Sequence, residues 1–251
     1  MSNKNYLSGN YVTKSDIGKI RLTNEDRIGT FTNTRGNILM VVCDGMGGQN
    51  KGEYAAEIAL RTLNESFMEK SHFLTRFSAR RWLLRAVIKA NKAIFDESEK
   101  RPNYHGMGTT LTVALILNNY LLVGQIGDSR AYILRNRQLI QLTEDQTYVG
   151  YLYRTGKITL EETKTHPQRH VLMNALGILP SIELDMKFYP YNNESVLVCS
   201  DGLYNNVEEK DILSILKSND STEQKVNELI SLANANGGSD NIAVGLWEAN
   251  K

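Results

Sequence analysis

Several apolar runs of this chain begin or end at an aspartate, and this repeated placement constrains the fold more than any other feature of the sequence. Apolar runs end at Asp44, Asp128 and Asp201, and others begin just after Asp26 and Asp240. In an antiparallel sheet, a strand that ends in Asp and a neighbour that starts after Asp place both carboxylates at the same edge. Such a group of anions is stable only when cations neutralise it. Oxygen ligands of this kind suit Mg²⁺ or Mn²⁺, so the pattern predicts a two-metal hydrolytic site.

The same aspartates also have a simpler interpretation as turn residues. An Asp or an Asp-Gly pair after a strand is usually a turn signal, and any single one of these residues is best explained in that way. The repetition favours the metal site, because the acid stands on the correct side of the strand each time.

Composition is that of an ordinary globular protein. The chain has 251 residues and is 41% hydrophobic, which is enough for one large core or two small ones. Its 29 Lys and Arg balance 28 Asp and Glu, so we expect no nucleic-acid or membrane surface. The sequence has no run of 18 apolar residues, and its first residues lack the apolar segment of a signal peptide. Cys43 and Cys199 lie in apolar runs and are expected to be buried free thiols. We expect a cytoplasmic protein that is a monomer.

Apolar periodicity predicts a mixture of strands and helices. Strands are predicted at 11–16, 28–33, 37–43, 109–117, 120–126, 130–134, 138–142, 185–189, 195–199 and 242–248. Helices are predicted at 208–217, at 222–235 and along two apolar stripes, which are Ala56, Leu60, Leu63 and Phe67, and Leu84, Val87, Asn91 and Ile94. Short hairpins with helices inserted in pairs predict an α+β fold, in which a central antiparallel β-sandwich of two sheets is flanked by antiparallel helix pairs in α-β-β-α layers. We expect one domain over residues 1–251.

Residues 144–180 are polar and irregular, with a possible helix near 160–164. A loop-rich stretch of this length inside a compact domain is usually functional.

A glycine-rich turn, Asp44-Gly45-Met46-Gly47-Gly48, leads into a helix near Lys51. Such a turn can cradle a phosphate group through backbone N–H groups. It is not a dinucleotide fingerprint, because the glycines do not fit Gly-x-Gly-x-x-Gly and no crossover to a parallel strand follows. It is not a Walker A loop, because no Gly-Lys-Ser/Thr is present.

Eight segments taken together resemble the metal-dependent protein serine/threonine phosphatases, the PPM or type 2C family, in its bacterial branch. They are RLTNED at 21–26, VCDGMGG at 42–48, GMGTT at 106–110, IGDSRAY at 126–132, LTED at 142–145, ALG at 175–177, CSDGL at 199–203 and GSDN at 238–241. They follow the family's order, and the fold that the family implies, a central antiparallel β-sandwich flanked by helix pairs, agrees with the strand pattern.

The resemblance implies a ligand set for two Mn²⁺ or Mg²⁺ ions. Asp44 would bridge the ions, and Gly45 would offer its carbonyl oxygen to one of them. Asp201 and Asp240 would complete the direct ligands.

The resemblance also implies roles for residues around this pair of ions. Glu25 and Asp26 would hold ion-bound waters, and Asp128, together with Asp201, would hold a third, weaker ion. Arg21 would grip the substrate phosphate, a task that suits its two-pronged donor geometry.

The same resemblance implies that the chain would hydrolyse phosphoserine and phosphothreonine on proteins through a hydroxide that two ions share and activate. Its partners would be phosphorylated proteins, including a serine/threonine kinase and the substrates of that kinase. The general acid stays open, because Met46 stands where eukaryotic members carry a histidine. The segment at about 145–170 is expected to be a mobile flap beside the metal site that selects substrates.

Two alternatives stand beside this reading: a non-catalytic fold relative that acts as a binding regulator, and a phosphatase of another phosphorylated substrate. Every carboxylate that the family uses as a ligand is present, which favours an active enzyme over a binding regulator. The sequence does not distinguish a protein phosphatase from a phosphatase of another substrate.

Overall fold

The computed structural model describes residues 7–47, 51–70 and 72–250. Its strands are β1 (Gly9–Asp16), β2 (Asp26–Thr32), β3 (Ile38–Met46), β4 (Gly108–Thr109), β5 (Leu111–Leu117), β6 (Tyr120–Ile126), β7 (Arg130–Arg135), β8 (Gln138–Gln141), β9 (Asp185–Pro190), β10 (Ser195–Cys199) and β11 (Ile242–Ala249). Its α-helices are α1 (Lys51–Met68), α2 (Arg76–Lys100), α3 (Tyr148–Arg154), α4 (Leu160–Thr165), α5 (Asp201–Tyr204), α6 (Glu209–Lys217) and α7 (Thr222–Ala235), and a 3₁₀ turn spans Pro102–Tyr104.

The strands form two sheets in which every pairing is antiparallel. One sheet has the order β1-β11-β10-β7-β8, and the other has the order β2-β3-β5-β6-β9, with β4 beside β3. Each predicted strand is present, and the predicted α+β class with two antiparallel sheets is confirmed.

Three apolar layers hold the sheets and helices together. Along β3, Met40 and Val42 lie between the two sheets, whereas Val41 and Cys43 face α1 and α2 on the outer side. A second outer layer packs α6 and α7 against the other sheet. Because successive side chains of a strand point to opposite faces, an uninterrupted apolar run is what a strand buried on both sides requires.

The prediction was wrong for one residue of the helix stripes. Leu84 was expected to face the core, but it is 39% exposed, and Leu83 is fully buried in its place. Both residues stand at helical spacing from Val87, four residues away for Leu83 and three for Leu84. The periodicity alone does not choose between them.

The segment predicted as irregular contains a helix that the sequence pattern did not indicate. The hydroxyl of Thr147 accepts a hydrogen bond from the Gly150 N–H (3.1 Å) and caps α3, which buries Val149 and Leu152. Glycine and aromatic residues are weak helix formers, so this short helix depends on its cap and its two buried side chains. The helix expected near 160–164 is present as α4.

Among the described residues, no helix combines the length and the apolar character that crossing a bilayer requires. The organisation of residues 1–251 as a single domain stays a prediction.

Candidate active site

The structure brings the predicted carboxylates to one end of the two sheets. Asp26 and Asp44 are direct partners across β2 and β3. Asp201 follows β10 and opens α5, Asp240 lies two residues before β11, and Asp128 lies between β6 and β7. The charges of the other four carboxylates all act on Asp44, which therefore stands at the centre of the cluster.

The backbone of Asp44 is held from the neighbouring strands. Its N–H donates to the hydroxyl of Thr110 (2.9 Å), and its carbonyl oxygen accepts from the Thr110 N–H (2.9 Å) and from the Thr109 hydroxyl (2.9 Å). The Thr110 hydroxyl also lies 2.8 Å from the hydroxyl of Ser129, the residue after Asp128. These bonds fix the end of β3 relative to the loop that carries Asp128.

Ser200, the residue before Asp201, connects the second sheet to the Asp26 carboxylate of the first. The Ser200 hydroxyl donates to Oδ2 of Asp26 (2.6 Å) and accepts from the N–H of Ala243 (2.9 Å). Oδ2 of the adjacent Asp201 accepts from the side-chain amide of Asn205 (3.0 Å). Oδ1 of Asp201 is buried and receives no hydrogen bond from the described residues, so it presents a lone pair that a cation would satisfy.

The start of α1 packs closely on the end of β3. The Gly45 N–H donates to the carbonyl oxygen of Glu25 (3.2 Å). A Cβ atom at Gly45 would overlap the backbone carbonyl of Gly52 in the first turn of α1. Only glycine permits this approach, so the close packing of α1 on the end of β3 requires glycine at position 45.

Asn241 supports the site, although no role was predicted for it. Its side-chain oxygen accepts from the Glu25 N–H (2.8 Å), and its side-chain amide donates to the carbonyl oxygens of Ile17 and Thr23 (2.9 Å each). Asn241 is 5% exposed. This one side chain therefore fixes both ends of the loop that carries Arg21. The available signal was an amide at the entrance to an apolar strand, directly after a predicted ligand.

Arg21 lies at the rim of the cluster. Its Nη2 donates to Oδ2 of Asp240 (2.7 Å), and its side chain is 52% exposed. Burial alone would lower the pKa of Arg21, but the Asp240 carboxylate, helped by Asp44 and Asp201, raises it above its ordinary value. The guanidinium is therefore charged, and part of it faces the solvent from which a substrate would arrive.

The loop at Asp128 is tied to the beginning of the predicted flap. The hydroxyl of Tyr204 donates to the carbonyl oxygen of Asp128 (3.1 Å), and the guanidinium of Arg130 stacks 3.5 Å from the centre of the Tyr204 ring. Arg130 also makes a two-pronged ion pair with Asp145, with N–O distances of 2.9 and 2.6 Å. The first residue of the predicted flap is thus anchored beside the cluster.

The cluster is electrostatically unfavourable without cations. Burial is the largest cause that raises the pKa of Asp26, Asp44, Asp128 and Asp201, and nearby carboxylates raise it further. The pKa reaches about 7 at Asp26, about 8 at Asp128 and about 6 at Asp201, and it rises well above the ordinary range at Asp44. Divalent cations reverse this penalty, and a set of oxygen donors suits hard cations.

Residues 7–47, 51–70 and 72–250 contain no three His, Cys, Asp or Glu side chains that already surround one point as a metal site would. The burial, the charge and the oxygen chemistry of the cluster fit a divalent cation, whereas the assignment of each ligand stays a prediction.

Comparison with known proteins decides the family. The model of the family described as protein phosphatase 2C matches residues 19–244. The chain belongs to this family. A serine/threonine phosphatase stp of Listeria welshimeri serovar 6b is 40% identical over 238 residues, which are 94% of both chains.

Solved structures agree with this assignment. The crystal structure of serine/threonine phosphatase Stp1 from Staphylococcus aureus matches with a TM-score of 0.91 at 31% identity and covers 98% of both chains. The catalytic domain of the serine threonine protein phosphatase PstP, solved with two manganese ions, matches with a TM-score of 0.86 at 32% identity, over 98% of this chain and all of that one. The predicted family, fold and activity as a serine/threonine phosphatase are therefore confirmed.

Proposed function

We propose that this phosphatase removes phosphate from phosphoserine and phosphothreonine of proteins by means of two divalent cations, Mn²⁺ or Mg²⁺, held where the two sheets end. The observation that carries the proposal is the carboxylate cluster, in which burial and nearby charges raise the pKa of Asp26, Asp44 and Asp201. The manganese-bound structure of PstP supports the same ions for this chain.

The proposed direct ligands come from both sheets. Asp44 would lie between the two ions, and the carbonyl oxygen of Gly45 would contact one of them. Asp201, with its unpaired and buried Oδ1, and Asp240 would complete the set from the other sheet. Ions held in this way supply Lewis acidity that stabilises phosphoryl charge and makes hydroxide available near neutral pH.

The proposed outer residues position this set. Asp26 accepts a hydrogen bond from Ser200, and Glu25 is held through its backbone by Asn241, so both would orient waters around the ions. Asp128 lies on a separate loop and would hold a third, weaker ion together with Asp201.

Arg21 would bind the phosphate group of the substrate. Its guanidinium is charged and lies beside Asp240, so a phosphate group that enters the cluster would meet this positive charge at the rim. Two-pronged donation from Arg to phosphate is favourable in geometry and in charge. No residue is proposed as the general acid, because Met46 has no proton to give.

The proposed partners are phosphorylated proteins, including a serine/threonine kinase and the substrates of that kinase, for a monomer in the cytoplasm. The two buried free cysteines support a reducing compartment. The segment at about 145–170 would act as a flap that selects substrates. Its residues Tyr151 and Tyr153 are 38% and 46% exposed, which leaves their rings available to a peptide.

The test is hydrolysis of p-nitrophenyl phosphate and of phosphothreonine peptides with and without added Mn²⁺ or Mg²⁺. We expect activity only with the cation. We expect Asp44→Ala to lose far more than the roughly 10–100-fold that supporting residues of a metal site typically contribute. Asp220→Asn, an exposed acid outside the cluster, is the control. Full activity after exhaustive chelation would exclude the two-cation proposal. Hydrolysis of small phosphorylated metabolites but not of phosphopeptides would favour a phosphatase of another substrate.

A further inference from the structure

A groove with an aromatic floor lies between the end of α1 and the first half of α2, and it has a volume of about 500 Å³. Trp82 lines it and is held in place, because its indole N–H donates to the carbonyl oxygen of Ser66 (3.1 Å) and its ring packs on Phe67 and Phe73. Phe77 lines it as well and is 70% exposed. A rigid indole beside an exposed phenyl ring offers a place for an apolar side chain of a partner.

The charges around this groove are strongly unbalanced. Of the residues that the structure describes, Lys70, Arg81, Arg85 and Lys89 line it together with a single acid, Glu69. The whole chain, by contrast, has a net charge of only +1. Arg81, Arg85 and Lys89 stand four residues apart along α2, an arrangement in which like charges disfavour the helix.

None of these three cations forms an ion pair with a carboxylate in residues 7–47, 51–70 or 72–250. An acidic partner would therefore meet cations that have no ion pair to give up.

The groove is far from the carboxylate cluster. The first turn of α1 packs on Gly45 at the cluster, and the groove begins at Ser66, near the other end of the helix. At about 1.5 Å per residue, the 14 residues from Gly52 to Ser66 span about 21 Å. The groove therefore cannot contact the phosphate that reacts, and its chemistry indicates recognition at a distance.

We propose that this groove binds an acidic peptide segment of a phosphoprotein substrate, with one apolar side chain on Trp82 and Phe77 and carboxylates beside Arg81, Arg85 and Lys89. The substrate part of this inference rests on the proposed function. The concave shape favours a peptide over a flat membrane, because a bilayer surface cannot fill a groove. An extended chain covers about 3.3 Å per residue, so the docking segment lies at least six or seven residues from the phosphorylated side chain.

Binding is tested directly with the labelled peptide Glu-Asp-Glu-Phe-Glu-Asp-Glu by fluorescence anisotropy at low and high salt. Two control peptides replace the acids with their amides or the Phe with Ala. The protein variant is Arg81→Glu/Arg85→Glu. The matched control is Lys210→Glu/Lys217→Glu, which makes the same charge change on α6. We expect the groove variant to bind at least about 10-fold more weakly, because like charges then face the peptide, and the α6 variant to bind within about two-fold of the parent.

The substrate part is tested with a phosphothreonine peptide that carries the acidic segment about ten residues away. We expect a several-fold gain in kcat/KM over the untethered peptide in the parent and no gain in the groove variant, while both hydrolyse p-nitrophenyl phosphate equally with Mn²⁺. If the parent itself does not hydrolyse p-nitrophenyl phosphate with Mn²⁺, the proposed function is contradicted. The peptide-binding measurement would then be the remaining test of the groove.

Equal peptide binding by parent and groove variant would overturn the inference. So would binding to vesicles of phosphatidylglycerol and phosphatidylcholine without binding to the peptide, because the surface would then contact membranes. Peptide binding without a tethering gain would show that the occupant is not a substrate.

Discussion

Replacing Asp201 with Asn should make the cation-free protein more stable, although it removes a proposed ligand. Burial and the charge of Asp240 raise the pKa of Asp201 from 3.8 to about 6. The folded state therefore disfavours the charged form more than the unfolded state does. An amide has almost the same shape and carries no charge, and its oxygen can still accept the hydrogen bond from Asn205.

The size of the effect follows from the pKa difference. Each pKa unit corresponds to about 1.4 kcal/mol, so the charge at Asp201 destabilises the cation-free fold by about 3 kcal/mol at pH 8. A buried amide N–H pair without a full set of acceptors offsets about 1–2 kcal/mol of this gain. The remaining 1–2 kcal/mol corresponds to a rise in Tm of about 2–8 °C for a chain of this length.

The pH dependence has a definite sign. A carboxyl group with a raised pKa in the folded state contributes a penalty that is absent below its unfolded pKa and complete above its folded pKa. The advantage of Asp201→Asn should therefore be full at pH 8 and decrease as the pH falls through about 6. Because the cost of the buried amide does not depend on pH, the variant should be less stable than the parent at pH 4.

Differential scanning fluorimetry in EDTA and in Mn²⁺ measures both arms of this prediction. In EDTA, Asp201→Asn should melt above the parent. In saturating Mn²⁺ the order should reverse, because only the parent gains binding free energy in the folded state. Asp220→Asn serves as the control and should follow the parent under both conditions. A lower Tm for Asp201→Asn in EDTA would show that the carboxylate is needed for folding, and the argument from crowded charges would be wrong.

Three further predictions concern the other functional elements. Arg21→Ala should lower kcat/KM by about 2–4 kcal/mol, as expected for one charged transition-state donor, and leave Mn²⁺ affinity by calorimetry unchanged; a collapse of that affinity would make Arg21 structural. Asp128→Ala should remove only the weak third ion, so crystals grown in high Mn²⁺ should show two ions in the variant and three in the parent; loss of every ion would place Asp128 in the core site. Replacing residues 148–157 with a Gly/Ser linker should keep p-nitrophenyl phosphate hydrolysis within a few-fold and change discrimination among phosphoproteins; joint loss of both activities in a folded, Mn²⁺-binding variant would place the segment in the catalytic apparatus.

The strands were predictable because their signal is local. Alternate residues of β3 face different layers, and the uninterrupted apolar run before Asp44 already contains that information. The exact face of a helix was less predictable, because Leu83 and Leu84 both fit helical spacing and only packing chooses between them. The helix at Tyr148–Arg154 was not predicted, because its own residues have weak helix propensity. Its stability comes from a cap and two buried side chains.

The residues that support the site were not predictable, for a different reason. Asn241 reaches Glu25 across 216 positions of sequence, and Thr110 reaches Asp44 across 66. An amide or a hydroxyl next to an aspartate looks like a turn residue until the partner segment is known. An aspartate can be proposed as a metal ligand from its residue type alone. The residues that hydrogen-bond to it can be identified only from the tertiary structure.

The location of the carboxylates also suggests why cations would contribute to the fold itself. Asp26 and Asp44 belong to one sheet, and Asp201 and Asp240 flank strands of the other. The Ser200 hydroxyl already crosses from one sheet to Asp26 on the other, but one hydrogen bond contributes only about 1 kcal/mol. Ions shared by carboxylates of both sheets would add their binding free energy to the association of those sheets, since binding to the folded state alone stabilises it. The same charges that destabilise the cation-free sandwich would then hold its two sheets together at the proposed active site.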